Sequence, residues 1–166
     1  MIEYRKATIS DLDALVRIRL DFLRDADKIK SDEVIEVLLK NNREYMAASM
    51  ADGSFVSWIA VEDDEIIATS GVTFYTLPPS PSNPIGKTAY ISNMFTYPPY
   101  RKQGIATKLF DLSVQEAKAN GITKVLLDAT TMGRPLYEKY GFVAAENGMI
   151  YFAGNECKQG RKSLTN

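Results

Sequence analysis

The chain has 166 residues, 45% of them hydrophobic and 25% charged, with a net charge of −1; this balance describes one globular domain able to bury about two-thirds of its unfolded surface without disulfides or metal. It has no histidine and a single cysteine, Cys157, which excludes Ser-His-Asp and Cys-His catalysis, an intramolecular disulfide and an ordinary zinc site. The near-neutral charge, the lack of an apolar leader after Met1-Ile2-Glu3-Tyr4-Arg5 and the lack of any apolar run of roughly 18 residues predict a cytoplasmic protein with neither nucleic-acid nor membrane partners.

Ile2 to Ala7 reads as a short strand. Ser10-x-x-Asp13 then resembles a capping box, and Leu12, Leu15, Val16, Ile18, Leu20, Phe22 and Leu23 recur at helical steps, which predicts a helix with a broad apolar face. Ser31, followed by Asp32 and Glu33, opens a second helix with apolar residues Val34, Ile35, Val37, Leu38 and Leu39, running to Met50 and stopped by Gly53. Phe55–Val61 and Ile66–Tyr75 are rich in β-branched and aromatic residues on either side of an acidic turn, so they read as a hairpin.

Leu77 to Lys87 holds four prolines, two serines, an asparagine and a glycine; this composition predicts an exposed loop. Ala89–Tyr97 is the next strand, Gly104–Asn120 a helix closed by Gly121, and Val125–Ala129 a further strand. Pro135 suits the first turn of a helix that continues to Tyr140 and stops at Gly141. Phe142–Ala145 and Met149–Ala153 read as a last pair of strands around Asn147-Gly148. The domain therefore spans residues 1–153, and residues 154–166 form a polar tail. Exposed final strands leave room for a homodimer.

Chemistry concentrates between Tyr97 and Lys108. Pro98 and Pro99 stop a strand, Gly104 presents no Cβ to an approaching anion, and a helix begins immediately afterwards. Its first N–H groups have no partner within the helix and point towards an anion, and Arg101, Lys102 and Lys108 add positive charge. Arg101, Lys102, Gln103, Gly104, Ile105, Ala106 and Thr107 thus make a candidate diphosphate cradle. No Gly-x-x-x-x-Gly-Lys-Ser/Thr pattern is present, which argues against a nucleotide-binding P-loop.

A second element, Leu136-Tyr137-Glu138-Lys139-Tyr140-Gly141-Phe142, follows downstream. Together the two segments resemble the GNAT superfamily of N-acetyltransferases. That family's pattern runs from a strand through Pro-x-x-Arg-x-x-Gly-x-Gly/Ala into a helix, and later through Leu-Tyr-x-Lys-x-Gly-Phe. Pro98, Arg101, Gly104, Ala106, Leu136, Tyr137, Lys139, Gly141 and Phe142 match it in register. Thr130 and Gly133 stand where many members carry Asn and Ala.

The resemblance implies a mixed α/β fold with a central mixed sheet of about six to seven strands and about four flanking helices, in which Ala89–Tyr97 and Val125–Ala129 splay apart to form the acyl-CoA cleft. It implies acetyl-CoA as acyl donor, no metal, and a small-molecule or peptide amine as acceptor, attacking directly in a ternary complex. Phe95 and Thr96 would pair their backbone with the pantetheine arm, Thr130 would contact the cofactor, and Tyr137 would protonate the departing thiolate. Asn93 and Asp128 are candidates for the acceptor side, although strand alternation does not say which way either points. A non-catalytic acyl-CoA-binding regulatory domain would use the same cradle and keep Tyr137 for packing.

Overall fold

The computed structural model describes residues 1–145. Its elements are β1 (Glu3–Lys6), α1 (Leu12–Asp25), α2 (Ile35–Asp52), β2 (Phe55–Glu62), β3 (Glu65–Thr76), β4 (Lys87–Thr96), α3 (Ile105–Ala119), β5 (Lys124–Leu127) and α4 (Arg134–Tyr140). The five strands form one sheet in the order β1-β2-β3-β4-β5. The first four are antiparallel neighbours, and β5 joins β4 in parallel, as a crossover through α3 requires.

Alternation assigns the two faces of this sheet. Val72, Ala89 and Ile91 cluster with Phe110, Val114 and Ala117 of α3, whereas Phe55 and Ile59 cluster with Leu12, Leu15, Val16 and Met46 of α1 and α2. Thr73 and Tyr90, each one step from those α3-facing residues and paired across the ladder, therefore face the α1/α2 side. The α3 face also carries a buried polar contact, Ser70 Oγ to Ser113 Oγ at 2.6 Å.

Three sequence expectations change. The capping box lies two residues earlier than Ser10 and Asp13: Asp11 accepts hydrogen bonds from the Thr8 backbone N–H at 2.7 Å and from its hydroxyl at 3.2 Å. Asp11 is chosen because Arg5 of β1 grips the same carboxylate through two nitrogens, at 2.8 and 2.9 Å. At the start of α2 the apolar residues divide, since Val34 and Val37 are exposed while Leu39 packs against the core that buries Met46.

The third concerns Phe142–Ala145, which form no strand. Phe142 instead packs its ring on Phe110 at 5.5 Å, and Val143 is exposed. The sheet consequently has five strands among the described residues rather than six or seven. Met149–Ala153, the Asn147-Gly148 turn, Cys157 and the polar tail lie outside those residues. Among the described residues no helix is long and apolar enough to cross a membrane.

The hairpin turn Asp63-Asp64 has φ of 49° and 64°, the type I′ geometry that suits right-twisted strands. The proline-rich segment extends the β3–β4 hairpin as a braced loop: Leu77 N–H donates to Gly86 O at 2.9 Å, and buried Asn83 donates from Nδ2 to Lys87 O at 3.1 Å. Gly86 is required there, because a Cβ would stand 2.2 Å from Leu77 O.

Candidate active site

The site begins where β4 leaves its neighbour. Pairing of β4 with β5 runs only from Thr88↔Lys124 to Ile91↔Leu127, so among the described residues Ser92–Thr96 have β3 on one side and no strand on the other. Between Thr69 and Gly71 the β3–β4 register shifts by one residue. Asn93 occupies this bulge with φ of 54°, and its carbonyl accepts from Thr69 Oγ1 at 2.8 Å. A bulge bends its strand; here it directs the end of β4 away from β5 and opens a slot between them.

Past β4, Pro98–Tyr100 make a single 3-10 turn, and the chain then reverses through Lys102 and Gly104, with φ of 63° and 80°. Helix α3 starts at Ile105, whose side chain is buried and anchors the turn. The first α3 backbone bond is Lys108 N–H to Gly104 O at 3.0 Å, leaving the N–H groups of Ile105, Ala106 and Thr107 without helical acceptors. A Cβ on Gly104 would meet nothing within 4 Å, so the space before these donors is open. Lys102, Gln103, Thr107 and Lys108 are exposed around it. This geometry fits a diphosphate: N–H donors without helical acceptors and the positive end of a helix dipole face open space, with exposed lysines on the flanking residues.

Arg101 has a different place. Its Nε donates to Thr96 O at 2.9 Å, a second nitrogen bonds Asp25 of α1 at 2.9 Å, and the guanidinium lies 5.7 Å from the Phe95 ring centroid. It ties the end of β4 and the cradle to α1, and it engages the Thr96 carbonyl that sequence reasoning reserved for the cofactor arm. Tyr97 makes a parallel tie, donating to Asp21 at 2.7 Å; burial and this bond push its phenol up to about 12. The Thr96 hydroxyl is buried with no partner among the described residues, and the Phe95 ring is buried against Phe22.

Tyr137, on α4, is buried beside Phe110 and Phe142, in the cluster that holds Ile91 and is packed by Leu127. It therefore stands next to the last paired residues of β4 and β5. Burial raises its phenol above the ordinary value, so at neutral pH it keeps its proton. Thr130 closes the turn into α4: its hydroxyl accepts from Gly133 N–H at 3.2 Å and its carbonyl from Arg134 N–H at 3.0 Å.

Asp128 follows β5 directly and is exposed. It accepts a 2.7 Å hydrogen bond from the Tyr90 hydroxyl, and burial together with this bond raises the Tyr90 pKa. Of the other aromatics, Phe74 packs against the α3 cluster, and Trp58 and Tyr100 against the Ile105–Leu109 cluster. Sequence reasoning missed Tyr90. Its signal was slight, a polar-tipped residue between buried Ala89 and Ile91.

A mixed sheet with a splayed parallel pair, an anion-ready helix start and a tyrosine beside the slot defines an acyl-CoA-type transferase scaffold. The description "Acetyltransferase (GNAT) domain" matches residues 26–154. A predicted acetyltransferase of Clostridium acetobutylicum, solved with acetyl-CoA, is 38% identical over 92% of this chain and 96% of that one, with a TM-score of 0.85. A GCN5-related N-acetyltransferase from Ralstonia eutropha is 30% identical over 93% and 100% of the two chains, with a TM-score of 0.84. The glucosamine-6-phosphate N-acetyltransferase of Arabidopsis thaliana, at 19% identity, 92% and 98% coverage and a TM-score of 0.67, shares the fold alone. No curated protein matches the sequence. The chain belongs to the GNAT acetyltransferase family.

Proposed function

We propose that the protein transfers an acetyl group from acetyl-CoA to the nitrogen of a primary amine within a ternary complex. The observation that carries this reading is the slot past Ile91 and Leu127, with the open start of α3 at the end of β4 and buried Tyr137 beside the last paired residues. Acetyl-CoA supplies an acyl group already activated as a thioester. The backbone N–H groups of Ile105, Ala106 and Thr107 hold its diphosphate, with Lys102 and Lys108 adding charge, while Gln103 lines the loop. The backbone of Phe95 and Thr96 along the edge of β4 away from β3 orients the amide arm as an added strand would, with Arg101 giving up the Thr96 carbonyl when the arm binds.

The amine attacks as its free base, the C–S bond breaks as the C–N bond forms, Tyr137 donates its phenolic proton to the departing thiolate, and the proton lost by the nitrogen passes through water to restore the phenol. A thiol near pKa 8.5 is a stronger acid than a phenol near 10, and burial raises the phenol further, so this donation works only for sulfur held at hydrogen-bond distance while charge develops. Asn93 and Asp128 orient the acceptor amine on the other side of the slot, and the Tyr90 bond holds Asp128 in place.

The test is release of free thiol from acetyl-CoA across polyamines, amino acids, aminoglycosides and peptide N-termini, with the acetylated product identified by mass spectrometry. An amide product with stoichiometric thiol upholds the proposal. Tight acetyl-CoA binding with no product from any amine would replace it with the non-catalytic regulatory reading.

A further inference from the structure

Arg19 lies on the sheet-facing side of α1 without the partner its burial calls for. The three partly buried arginines differ sharply. Arg5 is held by Asp11 and Arg101 by Asp25. Arg19, half-buried, has neither a carboxylate nor a hydrogen-bond acceptor among the described residues; its guanidinium rests 5.4 Å from the Phe22 ring centroid. Phe22 in turn meets Phe95 at 6.3 Å, which places this charge over β4. An aromatic face balances part of an arginine's charge but accepts none of its five N–H donors.

The surroundings are polar and ordered. On the same face of the sheet, Tyr45 of α2 and Thr73 share a hydrogen bond of 2.7 Å, and Tyr90, the cross-strand partner of Thr73, donates to Asp128. Burial depresses the Arg19 pKa. The surroundings thus offer two poles, a cation at Arg19 and an anion at Asp128, the latter held by the Tyr90 hydroxyl. Asp128 stands at the slot end.

We infer that the acceptor is a zwitterion, a small primary amine that also bears a carboxylate or phosphate, with its anionic group on Arg19 and its amine towards Asp128. This rests on the N-acetyltransferase reading and narrows its substrate class. A guanidinium fork fits either anion through paired hydrogen bonds. Simple alkylamines and polyamines lack the group that Arg19 binds.

Matched pairs test this: propylamine against β-alanine, ethanolamine against O-phosphoethanolamine, and cadaverine against lysine. In each pair the zwitterion is expected to show about tenfold or greater kcat/KM, and the better of the carboxylate and phosphate series identifies the anion. Arg19→Gln should raise the zwitterion KM by about tenfold or more, leaving the acetyl-CoA KM and propylamine turnover unchanged. Arg19→Lys should recover part of the loss, and Arg19→Met controls for packing. Equal turnover within the pairs, or an unaltered zwitterion KM in Arg19→Gln, overturns the inference and leaves the acetyltransferase reading standing. Calorimetric titration of β-alanine and O-phosphoethanolamine into the CoA-saturated protein separates the opposite case. Binding that Arg19→Gln abolishes, with no amine acetylated, upholds the anion site and sinks the acetyltransferase reading; no binding to the unsubstituted protein overturns the inference.

Discussion

Gly133 and Tyr137 are in direct contact across the start of α4: a β-carbon built on Gly133 would stand 2.9 Å from both Cε2 and the hydroxyl oxygen of Tyr137. The glycine has φ of −82°, so backbone freedom is not the reason for it. It is there to let the phenol lie flat against the chain.

Gly133→Ala must therefore displace the ring that faces the slot. Tyr137 is buried on its other sides, so the ring cannot simply swing clear. We expect a stability loss of about 1–2 kcal/mol and a several-fold lower kcat with little change in the acetyl-CoA KM. Thermal melts and steady-state kinetics on one preparation check both.

Tyr137→Phe keeps the packing with Phe110 and Phe142 and removes only the hydroxyl. Acetyl transfer should slow by about a hundredfold, within the usual range for a general acid, with acetyl-CoA affinity preserved. An unchanged rate would remove the acid role and leave Tyr137 a core residue.

At the cradle, Gly104 faces open space and has φ of 80°. Gly104→Glu puts a side chain and a negative charge where the diphosphate is expected, at a backbone cost of about 1 kcal/mol. Loss of acetyl-CoA binding from a protein that still melts cooperatively is the expected result. Retained binding would place the cofactor elsewhere.

The Arg5–Asp11 pair makes stability depend on acid. The Arg5 hydrogen bonds, chiefly, lower the Asp11 pKa from 3.8 to about 2. A depressed carboxylate stabilises the fold fully above its unfolded pKa and loses that contribution as pH falls through the folded one. The window is thus from about pH 4 down to about pH 2. Because Arg5 is partly exposed, about 1–2 kcal/mol is at stake. Asp11→Asn should lower the Tm at pH 7 and make little difference at pH 2.

Gly71 marks the close approach of β2 and β3 side chains. A Cβ there would fall 2.7 and 2.9 Å from the buried Phe55 ring, so Gly71→Ala is expected to destabilise by about 1–3 kcal/mol, read by chemical denaturation. Asn93 Nδ2 lies 3.5 Å from the same point, and a shift of the ring should also raise the acceptor KM.

Much of this arrangement was legible in the residue order. Strands announced themselves by β-branched and aromatic runs, α3 and α4 by apolar spacing and by glycines with positive φ just outside them, Gly104, Gly121 and Gly141. The turn into α3 was legible because its parts are contiguous: a proline-stopped strand, Gly104 and the helix start need only local geometry. Capping at Thr8 was not, since Arg5 of another element selects Asp11 over Asp13.

What the sequence by itself determined is most of the elements and the turn that opens α3, both products of interactions between residues a few positions apart. Tertiary structure alone decided which side chains face the slot. The bulge at Asn93 bends β4 away from β5, Arg101 is turned to Asp25 instead of the rim, Tyr90 reaches Asp128, and Arg19 comes to rest on Phe22 with no carboxylate partner among the described residues. Each of these joins residues distant in the chain, where a one-residue register shift changes which face a side chain takes. No local pattern carries that information.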